Sequence, residues 1–594
     1  MEIREFYQDR IAMFLKKEET YFKQDKKYPY LRLVIFIAGV VIFYLLFSTS
    51  VVLAVISLMI FIFLFILVYK KELHILSSIR ECHLLKIANE NELKSLEDER
   101  GVFPDGKQYL DHTHPYSSDL DLFGNKSLFQ LLNRTNFTIS NNILADWLIS
   151  AASSQDILLR QEAVKELASN IDLRQKIYIL GSNISNKEND ISGLVDWLKS
   201  PIDKVFNGKF VIWCSVLSAI TIISLILSII GLPVYIGALL VLLNILINNR
   251  INEKVKTAHT KVSKNAAVLL SYSSILRKLE NTEFSAAKLT QIKDDLKTNT
   301  VKASKSIEKL SGIVANLDGR YLGAIHFIFN TLLFWDIHNM FQLEKWRKNN
   351  SNIDKWFDRV GEFEALSSLA NLQFNNPCWC CPQICFDNFH LQTKNMGHPL
   401  IPAKTMVAND FSMNGNGKVI ILTGSNMSGK STFLRTIGVN YILAMAGSCV
   451  CATEFVFSPI SLLSVMRVND SLNDNTSSFH AELKKLSSVI KAVEKKENVF
   501  LLLDEILKGT NSIDRQIGSN AFVRQLIDNN ALGILATHDL TLTDLAAEFP
   551  EQVENYNFNI NIKDEELVFD YKLNAGVCKS RNASILMKKM GIKI

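Results

Sequence analysis

Residues 33 to 69 form an apolar run from Leu33-Val34-Ile35-Phe36 to Leu67-Val68-Tyr69, broken only by Ser48, Thr49, Ser50 and Ser57. As one helix it would extend roughly 55 Å, against a bilayer hydrocarbon core of about 30 Å. It therefore reads as two spans joined at Ser48-Thr49-Ser50. A second block runs from Phe210 to Ile247 and turns at Gly231-Leu232-Pro233, where a glycine and a proline that stop helices flank one apolar residue. The expectation is four transmembrane helices in two hairpins, at 31–70 and 206–250. The competing reading is buried helices of a large soluble domain, which seldom keep so long a stretch free of charge. A cleaved leader fits poorly, because charge-rich residues 1 to 32 precede the first run and a second span follows at once.

The flanks set an orientation. Lys16, Lys17, Lys23, Lys26, Lys27 and Arg32 precede the first hairpin, Lys70, Lys71 and Arg80 follow it, and Arg250, Lys254 and Lys256 follow the second. The turns carry no charge. The positive-inside bias predicts a multi-pass protein of an inner or plasma membrane, with everything but the turns in the cytoplasm.

The second constraint is chemical. Thr423-Gly424-Ser425-Asn426-Met427-Ser428-Gly429-Lys430-Ser431-Thr432 follows the β-branched run Val419-Ile420-Ile421-Leu422 and precedes Phe433-Leu434-Arg435-Thr436-Ile437. Strand, glycine loop and helix start together turn backbone N–H groups toward an anion. The spacing of Gly424, Gly429, Lys430 and Ser431 is that of a triphosphate-binding loop. Residues 424 to 432 are thus the expected nucleotide-binding set, with Lys430 on the β- and γ-phosphates and the Ser431 hydroxyl on Mg²⁺. Val499-Phe500-Leu501-Leu502-Leu503 ends in Asp504-Glu505. Asp504 is the second expected Mg²⁺ residue, and Glu505 is placed to polarise a water aimed at the γ-phosphate. A third apolar strand, Leu532 to Thr537, delivers His538, expected to sense the γ-phosphate rather than merely pack. The expected cofactors are ATP and Mg²⁺, and the catalytic set is Lys430, Glu505 and His538.

With these residues in view, the loop from Thr423 to Thr432, marked by Asn426 and Met427, resembles that of the MutS family of mismatch-repair ATPases. Asp504-Glu505-Ile506 with Gly509-Thr510-Asn511-Ser512, and Ala536-Thr537-His538, resemble its second nucleotide motif and its switch histidine. Asp470, Ser477-Ser478-Phe479 and Glu482 resemble the family's signature loop; the resemblance implies that Ser477 crosses a dimer interface to the partner's nucleotide. His398-Pro399-Leu400 and Asn409-Asp410 fit the entry to the ATPase. Asp121 to Gly124, Leu128-Phe129, Leu132 to Thr135, Trp147-Leu148 and Arg160 to Val164 resemble the family's helical core, and Glu362 to Ala370 its connector. Leu573 to Gly576 and Ser584 to Met587 resemble its final strand and helix. The likeness covers roughly two-thirds of the chain, and it implies a homodimer.

The chain also departs from that pattern. Asp474-Asn475-Thr476 stand where the signature loop usually carries a glycine, and Leu507-Lys508 stand where glycine-arginine is usual. These changes put the coupling between subunits in question. The residues before Leu120 are too few, and of the wrong kind, for the family's mismatch-reading domain.

A net charge of +5 is small for 594 residues, so no global basic character argues for nucleic acid. Residues 250 to 310 are locally basic, and three readings stand: a DNA-phosphate arm, a contact with anionic lipid, or a solvated helix face. Cys378, Cys380, Cys381 and Cys385 cluster near His390 and His398. Their spacing matches no standard paired zinc pattern, and packing at buried strands is the plainer reading.

The expected organisation is a charged segment at 1–30, the first hairpin at 31–70, a helical core-like region at 71–205, the second hairpin at 206–250, a lever and connector at 251–375, and an α/β P-loop NTPase domain at 376–594. The function this predicts is a membrane-anchored MutS-like ATPase with a composite dimer site and, in one version, ATP-dependent DNA binding. The alternatives are a DNA-binding or repair-related protein tethered to the membrane, and an ATP-driven transporter component. The spans' lack of charge disfavours the last.

Overall fold

The computed structural model describes residues 2–97, 100–182, 196–197, 200–201, 203, 205–231, 233–263, 265–297, 302–350, 353–425, 427–466, 478–563 and 566–578. Two compact units divide the chain: Met1–Val102 with Asp172–Ile179, and Phe103–Ile171 with Leu180–Ile594.

The first unit holds α1 (Ile3–Asp25), α2 (Tyr28–Phe47) and α3 (Val51–Leu96). The break between α2 and α3 falls at the expected serine-threonine turn. There the Ser48 and Thr49 hydroxyls donate to the Leu45 and Leu46 carbonyls, 2.9 Å each, satisfying groups the helix end leaves open. A Cβ on Gly39 would stand 3.0 Å from Phe61 Cβ, so glycine lets α2 approach α3 closely. Arg32 pairs with the buried Glu72 at 3.0 Å. The helix does not stop at residue 70, the boundary expected for the hairpin. It runs unbroken to Leu96, its lower half receiving α1 through the buried Tyr7 and Phe14.

In the second unit the helical part includes α4 (Thr138–Ile149), α5 (Gly208–Ile230), α6 (Val234–Val262), α7 (Ala324–Leu333) and α8 (Ile353–Asn375). Asn207 caps α5 by accepting from Phe210 N at 3.0 Å, and α5 ends at Gly231 with φ 124. Leu232 of the expected turn lies outside the described residues. Among the described residues, four segments are long and apolar enough to cross a membrane: Ile3–Phe47, Val51–Leu96, Gly208–Ile230 and Val234–Val262.

α8 is the spine of the helical part, burying Trp356, Phe357, Val360, Phe363, Leu366 and Leu369. It also binds the segment 132–135 that the sequence singles out: Arg134 N donates to Ser368 Oγ at 3.1 Å. The buried Glu364 accepts from Asn136 N at 3.1 Å and Asn136 Nδ2 at 3.0 Å. Burial raises the Glu364 pKa, against the hydrogen bonds from Ser140, Asn136 and Phe137 that favour its ionised form. Glu364→Ala would strand these donors. The expected loss is about 1–3 kcal/mol per unpaired group, read as a lower midpoint of thermal unfolding.

The C-terminal part carries two sheets. One has the order β1 (Gln383–Ile384), β5 (Glu454–Phe457), β2 (His390–Met396), β3 (Asn409–Asn414). The other has the order β10 (Glu566–Ala575), β9 (Val553–Lys563), β4 (Val419–Gly424), β8 (Leu532–Thr537), β7 (Val499–Asp504), β6 (Ser461–Val465), all parallel except β10. Every residue of β4 and β7 is buried, which is why both read as continuous apolar runs. α9 (Lys430–Met445), α10 (Ser478–Glu494) and α11 (Ser512–Asp528) complete this part. α9 packs toward Leu120: a Cβ on Gly438 would come within 2.6 Å of its Cδ2.

Candidate functional site

Parallel register brings the three motifs to one edge. Thr423 lies beside Thr537, and Asp504 beside Ala536, so the ends of β4, β7 and β8 open on the same side. There β4 passes through the glycine loop into α9. Gly429 caps α9 with φ 104, and Gly424 has φ 155. A Cβ on Gly429 would meet the Tyr571 ring at 3.1 Å; one on Gly424 would lie 2.7 Å from Ser428 Oγ and 3.1 Å from Phe558 O. Both positions need glycine for conformation and space. Met427 takes φ 65 and is 85% exposed at the loop tip.

Lys430 is 4% exposed. Its Nζ donates to Gly424 O and Ser425 O, 3.0 Å each, and stands 3.9 Å from Glu505 Oε1. Burial lowers its pKa, partly offset by Glu505 and Asp504. Glu505 Oε1 lies 2.5 Å from His538 Nε2, and Oε2 lies 3.2 Å from Lys508 Nζ. The His538 hydrogen bond, with the charges of His538 and Lys508, outweighs burial and holds the Glu505 carboxyl down at about 2. Asp504 is buried, and its Oδ1 has no hydrogen-bond partner among the described residues. The loop and its surroundings line a cavity of about 460 Å³, reached by His398, Asn409, Ser428, Ser431, Thr432 and Tyr571.

Sequence reasoning missed part of this arrangement. The buried Glu482 accepts from Leu507 N at 2.5 Å and from Lys508 N at 3.4 Å. These bonds hold a turn in which Glu505 (φ 49) and Leu507 (φ 61) are both left-handed. Such a conformation costs a non-glycine residue roughly 1–2 kcal/mol, which explains why a glycine is the usual neighbour there and why this chain needs an anchor. Glu482→Ala should loosen the turn by about 1–3 kcal/mol, detectable as faster hydrogen exchange at residues 505–508 with that of β4 unchanged. Asn409 ties the β10 end of the cavity, donating to Tyr571 O at 3.0 Å and accepting from Leu573 N at 2.8 Å.

Lys430, Ser431, Asp504, Glu505 and His538 thus sit at one sheet edge, with Gly424, Ser425, Met427, Ser428, Gly429 and Thr432. Asn426, Asp470, Ser477 and Ser584 to Met587 lie outside the described residues. Cys380 forms an isolated bridge with Val450, Cys378 and Cys381 are exposed, and no group of three His, Cys, Asp or Glu suited to a metal ion occurs among the described residues.

Residues 420–591, which contain this whole edge, match the family model MutS domain V. The DNA mismatch repair protein MutS of Fusobacterium nucleatum is 32% identical over 219 residues. The C-terminal part of the chain is thus similar to MutS proteins. The MutS of Thermotoga petrophila is 27% identical over 252 residues, 42% of this chain and 31% of that protein. The MutS of Persephonella marina is 29% identical over 248 residues, 41% and 28% respectively. For the F. nucleatum protein the shares are 36% and 23%. The chain therefore spans less than a third of the length of these MutS relatives, and the likeness lies in the C-terminal part that holds the site.

Proposed function

We propose that this chain is a membrane-anchored, dimeric P-loop ATPase of the MutS family that binds and hydrolyses Mg-ATP at the edge of β4, β7 and β8. The observation that carries the reading is the convergence of Lys430, Asp504, Glu505 and His538 on one glycine loop at a helix N-terminus. The donor set fits a phosphate-bound divalent cation: a buried carboxylate oxygen without a partner at Asp504, and a hydroxyl at Ser431 on the cavity wall. Bound there, Mg²⁺ supplies charge neutralisation on the phosphate oxygens. Lys430 would exchange its two loop carbonyls for phosphate oxygens, the stronger charge-assisted partners. Glu505 would turn from His538 and Lys508 to orient the attacking water, and His538, released from the carboxylate, would meet the γ-phosphate. Ser477 is proposed, from the family resemblance alone, to act across the dimer.

Membrane anchoring is supported by the four long apolar segments, whose large side chains lie exposed along α2, the upper half of α3, and α5. The charged flanks support a cytoplasmic ATPase. For DNA, the basic stretch offers little. Lys254, Arg277, Lys288, Lys293 and Lys297 each pair with a carboxylate, leaving less free charge for phosphate than composition suggests. The decisive experiment measures phosphate release by the purified full chain, with and without Mg²⁺, then with duplex DNA or anionic vesicles added. Mg²⁺-dependent turnover is expected; none under any of these conditions would end the proposal. Stimulation by DNA that fades steeply with salt would favour the DNA-binding reading instead.

A further inference from the structure

α7 is built inside out. Its ten residues, Ala324–Leu333, carry His326, Asn330 and Thr331 as the only polar side chains. Thr331 is buried, and His326 and Asn330 turn to the buried Asp336, at 3.0 and 3.2 Å. Ile325, Phe327, Ile328 and Phe329 point outward, 46–59% exposed. A helix on a water-facing surface has the opposite arrangement.

The end of α7 gives a second, independent indication. A helix leaves its last carbonyls without intrahelical partners, and water normally satisfies them. Here side chains of two long apolar helices do so. Asn244 Nδ2 donates to Thr331 O at 3.0 Å and Ser218 Oγ to Leu332 O at 2.5 Å, while Asn248 Nδ2 adds a second donor at 2.8 Å to Asn330 O, which also accepts from Phe334 N. Asn244 is fully buried and also donates to Thr221 of α5 at 3.2 Å. Satisfying every backbone group from within is the requirement that hydrocarbon imposes.

We propose that α7 is a re-entrant membrane element, dipping from the cytoplasmic side against α5 and α6 with its outward face in lipid acyl chains. This rests on the reading of α5 and α6 as membrane spans and goes beyond it, since a ten-residue helix extends about 15 Å, half the hydrocarbon thickness, and cannot cross. The helices it packs against, α5 and α6, likewise expose large apolar side chains, among them Ile212, Trp213, Val216, Leu239, Leu242 and Leu246. Asn244 and Asn248 lie toward the end of the apolar stretch of α6, just before the basic residues Arg250 and Lys254, which places α7 at the inner leaflet. The link to the ATPase part is direct in sequence: Phe334 takes φ 50 and ends α7, one helix follows, and then α8, the spine described above.

The test places the photo-crosslinking residue p-benzoylphenylalanine at single positions of the full chain, reconstituted in phosphatidylcholine and phosphatidylglycerol vesicles. Ile220 on α5 reports the spans themselves, Ile328 and Phe327 report α7, and the exposed Leu158 is the aqueous control. Ile328 and Phe327 are expected to yield lipid adducts roughly tenfold above Leu158, as hydrocarbon contact demands. Lipid adducts at Ile220 with none at Ile328 or Phe327, or with protein adducts there instead, would overturn the inference and leave the spans standing. No lipid adduct at Ile220 would remove the spans and the inference together.

Discussion

Lys430→Ala is expected to lower kcat/KM for ATP by about 10²–10³-fold or more, the scale of removing one preorganised charge donor from a phosphoryl-transfer site. The structure gives the reason for so large an effect from one side chain. The ammonium is buried, and burial already lowers its pKa, so the protein has spent solvation to keep this cation beside the loop. Its present partners, the Gly424 and Ser425 carbonyls, are weak substitutes for phosphate. The variant should also lose nucleotide binding, read with a fluorescent ATP analogue. Stability is a separate matter, read as the unfolding midpoint: removing the ammonium from the buried Gly424 carbonyl should cost about 1–3 kcal/mol. A Lys430→Ala protein that folds and retains full turnover would rule out this site as the ATPase centre.

The edge chemistry was legible in sequence because each motif ends a strand buried on both faces. Such strands announce themselves as continuous apolar runs, as Val419 to Leu422 and Val499 to Leu503 do. Parallel pairing then fixes which residues share an end, so the sequence alone groups Lys430, Asp504 and His538. The four long apolar segments were legible for the same reason, an unbroken composition. Partnerships made by tertiary folding were not. Glu482 and Leu507 are brought together by α10 packing beside β6, and no local pattern marks that contact. Lys254 finds Asp203 and Lys288 finds Glu362, so a basic window in sequence became a partly paired surface in space. The expected hairpin boundary at residue 70 marks where charge begins, not where the helix ends, and α3 continues to Leu96. α7 was invisible for a deeper reason: a ten-residue, mostly apolar helix looks the same in sequence whether it faces a protein core or a lipid, and only the direction of Ile328 and Phe329 distinguishes the two.

Glu505→Gln should separate binding from turnover. The substitution keeps the shape and one oxygen but removes the negative charge that His538 and Lys508 now hold. Nucleotide affinity should persist, because Lys430 and the loop amides are untouched and one carboxylate close to the phosphates is gone. Turnover should fall by about 10²–10⁴-fold, the range for losing a group that positions or polarises the attacking water. The pattern of defects is the informative part. Glu505→Gln with intact binding and lost hydrolysis, set against Lys430→Ala with both lost, assigns the carboxylate to the chemical step and the ammonium to phosphate capture. Lys508→Ala refines the assignment: if Lys508 only restrains Glu505 before nucleotide arrives, removing it should leave turnover intact or raise it, whereas a role beside the water would make turnover fall along with that of Glu505→Gln. Glu505→Gln turning over at the wild-type rate would transfer the water-positioning role to another residue and leave the Glu505–His538 pair as a structural tie at the sheet edge.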